Sequence, residues 1–274
     1  MKTKHSSLFS LPYLIWSLIF IIVPMGLVVV FAFTTEGGQF TLDYVSQVGE
    51  YTNVLVRSVW LAAIATIICL LIGYPLAFIM SRMPGFQQRT MLMLIMLPMW
   101  MNFLLRTYAW MTILEKNGLL NKLFGLVGLG PFDMINTQGA VVLGMVYNYL
   151  PFMILPLYSI MTKIDNRTIE AAQDLGANTK NVFTRIVIPM SMPGISTGIT
   201  MVFVPSVSTF IISRMLGGGG NLLIGDLIDL QFLGNAYNPH LGSAISLVLM
   251  VLILLCMSIL NQFNSDEDRE GMLL

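Results

Sequence analysis

Charge is what this sequence has least of. Only 10% of its 274 residues are Asp, Glu, Lys or Arg, against about 25% in a soluble domain. Histidine and cysteine are also rare, with two of each, and no Gly-Lys dipeptide occurs. Each shortage excludes something. Without Gly-Lys there is no phosphate-cradling loop of the G-x-x-x-x-G-K-[ST] type. The run Gly217-Gly218-Gly219-Gly220 is therefore not a nucleotide site and is expected to be a flexible exit from a helix. Cys69 and Cys256 lie inside apolar runs and offer neither a disulfide framework nor Cys/His metal spacing, so they read as small packing residues. His5 and His240 have no Ser or Cys partner in a recognisable motif, which disfavours a Ser-His hydrolase. Fourteen basic residues balance fourteen acidic ones, so no basic excess points to nucleic acid.

Apolar residues are what the chain has in quantity. They make up 56% of it, and the mean hydropathy is +0.79. A soluble core of this length cannot hide so much apolar surface, and disorder is excluded with it. Crossing about 30 Å of hydrocarbon takes roughly 20 apolar residues. Six stretches qualify, at about 11–33, 58–80, 91–113, 139–161, 189–213 and 242–262. The short two-residue alternation of a membrane β-barrel is missing. The expected fold is an all-α integral membrane protein of six transmembrane helices. The run Leu11–Phe33 exceeds the 7–15 apolar residues of a signal peptide and is read as a retained helix, kinked at Pro24.

Lys and Arg in the loops set the orientation. With the N-terminus cytoplasmic, nine fall inside: Lys2, Lys4, Arg82, Arg89, Lys163, Arg167, Lys180, Arg185 and Arg269. Five fall outside: Arg57, Arg106, Lys116, Lys122 and Arg214. Arg57 and Arg106 sit at predicted helix ends, where long basic side chains snorkel. Both termini are thus expected to be cytoplasmic. Small residues four apart (Ala65/Cys69/Gly73, Ala140/Gly144 and Gly194/Gly198) let helices approach closely. They serve either packing within the bundle, the preferred reading, or a dimer contact. The central parts of the spans lack ionisable residues, whereas ion-coupled transporters place such groups there as relays. Energy for pumping is expected from outside the chain.

The segment between the fourth and fifth spans is the most informative. Asp165 or Asn166 caps a helix, Glu170 falls in its first turn where the dipole favours it, and Ala171 and Ala172 propagate it. Gly176 suits the left-handed residue that ends it. Asn178 then restarts a helix, Thr179 to Ile188, stopped by Pro189 at the membrane. Glu170, Ala171, Ala172, Gly176, Ile186 and Pro189 match the E-A-A-x(3)-G-x(9)-I-x-L-P signature, with Ile188 where Leu is usual. The chain thus resembles the permeases of binding-protein-dependent ABC importers. That resemblance implies a type I (MetI-like) permease bundle in the bacterial inner membrane. It makes residues 163–189 a coupling loop that docks on a cytoplasmic ABC ATPase dimer. Its other partners would be a second homologous permease and an extracytoplasmic substrate-binding protein. The chain would be non-catalytic and bind no cofactor, ATP and Mg²⁺ being used by the ATPase. Glu170 would pair with a basic group of the ATPase, stabilise its own helix, or do both. The segments divide as 1–56 (tail, first span and outer loop), 57–262 (permease core) and 263–274 (acidic tail).

Within the family, one branch is more similar, the spermidine/putrescine permeases. The likeness rests on Gly73–Ala77, Leu97–Trp110, Tyr149–Tyr158 and Gly220–Gly225. Seven acids on the outer side against five basic residues leave it at −2, which favours a cationic solute or simply reflects the positive-inside bias. Asp226 and Asp229, three apart, share a helix face near the expected outer mouth. They would meet either an ammonium group or a basic patch on the receptor. Trp100, Tyr108, Tyr147 and Tyr149 are candidate cation–π faces along the path, or else packing and interface aromatics. Ser206, Thr209 and Ser213 recur at i, i+3 and i+7, a polar stripe on one helical face or a set of interhelical hydrogen bonds. A permease for another small solute, such as an anion or amino-acid derivative, and a secondary transporter are the alternatives.

Overall fold

The computed structural model describes residues 6–234 and 236–270. Lys2, Lys4 and His5 lie outside the described residues. Among those described there is no β-strand, only an isolated bridge between Thr34 and Phe40. The principal helices are α1 (Pro12–Ala32), α2 (Thr52–Ser81), α3 (Gly85–Met96), α4 (Phe103–Leu114) and α5 (Leu119–Leu126). They continue as α6 (Gln138–Met161), α7 (Asn166–Asp174), α8 (Thr179–Val207), α9 (Ile211–Leu216), α10 (Ile224–Leu233) and α11 (Pro239–Glu270).

Five described helices are long and apolar enough to cross a membrane, in α1, α2, α6, α8 and α11. The third expected span is different. Residues 85–100 and 103–126 form a pair bent by 88°, so 91–113 is not one helix. Pro98 cannot donate to the ladder, and Asn102 starts a new helix by accepting the N–H groups of Leu104 (2.8 Å) and Leu105 (3.4 Å). The fifth expected span, 189–213, also breaks. α8 ends at Val207, and α9 begins only at Ile211. Just before the break, the hydroxyls of Ser206 and Ser208 donate back to the carbonyls of Val202 and Val204, bonds that compete with the helical ladder.

Neither Pro24, expected to kink a helix, nor Pro189, expected to stop one, ends its helix. Pro24 follows a π-helical turn at Leu18–Ile22, and Pro189 follows one at Phe183–Val187. A wider turn re-routes the carbonyls a proline cannot serve. Helix α8 therefore runs from Thr179 through Pro189 without ending at Ile188.

The chain divides into two compact units. In the first, up to Asn53 with Leu227–Leu254, His240 opens α11. Its Nδ1 lies 3.0 Å from the Phe31 carbonyl oxygen, and its ring stacks on Tyr44 at 5.4 Å. The second unit, Val54–Asp226 with the chain from Leu255, holds the helical core. There α6 and α8 pack through glycine. A Cβ on Gly198 would lie 2.6 Å from Met153 Sδ, and one on Gly194 3.1 Å from the Pro156 carbonyl oxygen. On the other side of α6, a Cβ on Gly144 would lie 2.5 Å from Leu216 of α9. Ala65, Cys69 and Ala140 are buried in the same clusters, so the small-residue spacings serve packing within the chain.

The glycine run is not a flexible exit. Gly218 has φ +61°, and Cβ atoms on Gly217 and Gly218 would strike the Ser213 carbonyl oxygen (2.6 Å) and Asn136 Oδ1 (2.7 Å). Asn221 donates to the carbonyls of Asn136 and Gly217, and Arg57 to that of Gly220. These glycines allow close approach at a tightly bonded corner.

Candidate functional site

Helix α7 and its exit are built as the residue pattern suggests. Asp165 caps the helix, accepting the Arg167 N–H at 3.0 Å. At the other end Gly176 takes φ +83°. Its N–H donates to Gln173 at 2.9 Å, and that of Ala177 to Ala172 at 3.0 Å, the paired bonds of a Schellman turn. Ala172 and Ala177 pack together on a buried cluster of Ile164, Val182 and Val187. Asn178 then caps α8 by accepting the Asn181 N–H at 2.8 Å.

Glu170 does not fall in the first turn. The helix starts at Asn166, so Glu170 is its fifth residue, beyond the reach of the terminal dipole. Its carboxylate is exposed and makes no hydrogen bond or ion pair among the described residues. Ala172, Gly176 and Ile186 of the signature line one cleft of about 340 Å³ with Leu175, Ala177, Asn181 and Arg185. Leu175 is 90% exposed, an apolar knob displayed by the glycine turn. Its position before the helix-ending glycine was the available sequence signal. Ala171 and Pro189 are exposed as well.

The candidate path residues fall into separate places. Trp100 (76% exposed) and Tyr108 (52%) lie on the surface on either side of the break before α4. Tyr147 lines a cavity of about 720 Å³ with Trp60, Trp110 and Gln138; its ring meets Trp110 edge-on at 5.4 Å. Tyr149 donates to the Pro205 carbonyl at 3.4 Å and pairs with the Thr209 side chain. Ser206, Thr209 and Ser213 are all buried, but they do not form a stripe on one helix. Ser206 lies on α8, Thr209 in the break and Ser213 on α9. The Ser206 and Ser213 hydroxyls are spent on the backbone carbonyls of Val202 and Phe210.

Asp226 is fully buried and not at an open mouth. Its Oδ2 accepts the Leu223 N–H at 2.8 Å, its Oδ1 lies 3.8 Å from Arg214 Nε, and Ser58 Oγ accepts the next N–H, of Ile224, at 2.8 Å. It thus stabilises the start of α10, as an acid in the first turn does. Asp229, one turn on, is half-buried.

Arg106 also departs from expectation. It does not snorkel but is 8% exposed, with Cζ 5.9 Å from the ring centroids of both Phe103 and Tyr147. Its Nε and Nη1 have no hydrogen-bond partner among the described residues. One ionisable group therefore lies inside the third expected span, near the break that carries it inward.

Comparison with known proteins bears on this geometry as a whole. Residues 73–266 match the family model of the binding-protein-dependent transport system inner membrane component. The chain is 40% identical over 265 residues to the spermidine/putrescine transport system permease protein PotB of Haemophilus influenzae, covering 93% of this chain and 92% of that protein. It is 37% identical over 248 residues to PotB of Escherichia coli K12, covering 87% and 90%. Its fold resembles that of a chain in the crystal structure of a bacterial alginate ABC transporter in complex with an alginate pentasaccharide-bound periplasmic protein. The TM-score is 0.79 at 18% identity, covering 93% of this chain and 92% of that one. With the family model matching well over half its length, the chain belongs to the inner-membrane components of binding-protein-dependent transport systems, and is a multi-pass permease of the ABC importer class.

Proposed function

We propose that this permease imports polyamines of the spermidine/putrescine class as one of two homologous permease subunits. A substrate-binding protein delivers the cargo from outside. A separate cytoplasmic ATPase dimer docks on α7 and uses ATP and Mg²⁺, while this chain catalyses nothing and holds no cofactor. Both termini are then cytoplasmic. The cargo is supported by the two relatives, each named for spermidine/putrescine transport and matched over nearly its whole length. The observation that carries the coupling role is the loop itself. An exposed Leu175 lines a cleft made in part by signature residues, and Glu170 is exposed on the same helix, which is capped at both ends. A short capped helix of this kind transmits rigid-body movement. Of the four aromatics singled out in the sequence, Tyr147 stands on a cavity wall and, with Trp110, offers ring faces to an amine; such contacts contribute about 0.5–2 kcal/mol.

The test is ATP-dependent uptake of radiolabelled putrescine and spermidine by proteoliposomes holding the complete importer. Saturable uptake, competed by either unlabelled polyamine, is the expected result. Uptake that persists without ATP and collapses with an ionophore would make the chain a secondary transporter. One observation favours a different cargo: the buried guanidinium of Arg106 behind Tyr147 would suit an anionic solute. Competition by anions and not by polyamines would establish that reading.

A further inference from the structure

Helix α7 is joined to the rest of its unit by more than its own two ends. Arg82, the residue after α2, reaches across to the loop's entry. Its Nη1 donates to the Ile164 carbonyl at 3.2 Å and to Oδ1 of Asn166, the first residue of α7. One guanidinium nitrogen thus grips both the strand of loop entering the helix and the helix itself. The Arg82 Cζ sits 5.5 Å from the ring centroid of Phe78, one turn earlier on α2. Phe78 in turn meets Phe183, in the π turn of α8, edge-on at 5.2 Å. Tyr74, a further turn back, meets the same Phe183 ring at 5.6 Å and shares a 2.8 Å hydrogen bond with Ser191. The last two turns of α2 therefore hold the entry of the loop through Arg82 and its exit through Phe78 and Tyr74.

The use of arginine here is specific. Arg82 Nε and Nη2 are shielded from solvent and have no partner among the described residues, and burial pulls the guanidinium below its ordinary pKa. Shielding a charge is unfavourable unless its hydrogen bonds return the energy. Both side-chain hydrogen bonds of Arg82 go to the loop, so attachment of the loop, together with the Phe78 ring, offsets that desolvation. The turn that carries Arg82 is itself fixed. Gln88 donates to the carbonyls of Ser81 and Met83 and accepts from the Tyr158 hydroxyl of α6 at 2.9 Å.

We propose that Arg82 is the positioning residue that makes α7 and the end of α2 move as one piece, delivering displacement of the docked loop to the second span. This rests on the reading of α7 as the ATPase-coupling helix. Without Arg82 the ATPase still has its docking surface, since Glu170, Leu175 and the cleft are untouched, but the entry of the loop loses its hydrogen bonds to the end of α2 and keeps only the apolar packing of the Ile164 cluster against Phe78.

The test uses the complete importer in proteoliposomes, reading three quantities: ATPase co-purification, ATP turnover and polyamine uptake. Arg82→Ala should retain the ATPase but lower uptake per ATP hydrolysed at least tenfold. Arg82→Lys, which can still donate to Ile164 and Asn166, should recover most of that ratio. Asn166→Ala, which leaves α2 intact, should lower it about threefold and decides the matter if Arg82→Ala fails to assemble. An unchanged ratio in Arg82→Ala, or an unchanged ratio in Asn166→Ala where Arg82→Ala does not assemble, would overturn the proposal. So would equal loss in Arg82→Ala and Arg82→Lys. Glu170→Lys in the same preparation separates the two readings. If it abolishes coupling while Arg82→Ala does not, the coupling loop stands and the Arg82 link falls. If Glu170→Lys transports normally, it is the reading of α7 that fails.

Discussion

Replacing Gly176 tests whether backbone conformation, rather than space, sets the shape of the coupling loop. Gly176 has φ +83°, and a Cβ built there would meet nothing within 4 Å. A Cβ there therefore clashes with nothing in this chain. What it does is disfavour the left-handed backbone, by about 1–2 kcal/mol for an L-residue. Gly176→Val, β-branched, belongs at the upper end of that range. Such an energy changes the population of the bent loop by a factor of about 5–30. If the bent loop is the form that docks, apparent affinity for the ATPase falls by the same fraction. Uptake at limiting ATPase should drop correspondingly and recover when ATPase is added in excess. Gly176→Asn is the discriminating control, because asparagine tolerates left-handed φ far better than other side chains. It should retain most activity. Uptake titrated against ATPase in reconstituted vesicles reads the shift directly. Equal damage from Val and Asn would show that bulk at the docking face matters and conformation does not, and normal uptake in Gly176→Val would refute the argument altogether.

Two further substitutions test the fold. Gly144→Val places a side chain within 2.5 Å of Leu216 and 2.8 Å of Ile212, an overpacking that typically destabilises by about 1–3 kcal/mol. A lower melting point in detergent, followed by size-exclusion fluorescence, should report it, whereas Gly139→Val, with only Thr137 Oγ1 nearby at 3.7 Å, should change little. Asp226→Ala removes the acceptor for the Leu223 N–H in a fully buried setting, a loss of about 1–3 kcal/mol. It should lower the melting point while Asp229→Ala does so less; the opposite order would contradict the helix-start role of Asp226.

What was legible in the sequence was local. Asp165, Gly176 and Asn178 are read correctly because caps and left-handed turns depend on residues within one helical turn. Six apolar stretches are visible for the same reason, since hydropathy is a property of composition. Breaks inside those stretches are not. Nothing in the hydropathy of 91–113 or 189–213 distinguishes one helix from two, and the decisive events are the cap at Asn102 and the hydroxyls of Ser206 and Ser208 turning onto backbone carbonyls. Once a span breaks, periodicity computed across it misleads, as the Ser206/Thr209/Ser213 stripe does. Asp226 illustrates a second limit. An acid in a loop reads as exposed unless its long-range partner is known, and Arg214 lies twelve residues away. Glu170 shows the smallest error with a large consequence: a helix that starts at Asn166, one residue earlier than a cap at Asn166 would give, puts it beyond the first turn. Arg82 and Arg106 were counted as topology markers, and the sequence has no local signal that either turns inward.

The π turn before Pro189 has a mechanical consequence. Because the helix does not stop at the proline, residues 179–207 form one continuous helix of 29 residues, about 43 Å along its axis at 1.5 Å per residue. One end starts at the Asn178 cap beside the coupling loop, and the other ends next to the Tyr149–Thr209 pair. A tilt of about 10° applied at the loop, transmitted without bending, sweeps the far end through roughly 7 Å for that length. That is more than the diameter of a methylene chain, so on the proposed docking of an ATPase at the loop this helix is long enough for a small rotation there to open or shut a passage for a slender solute.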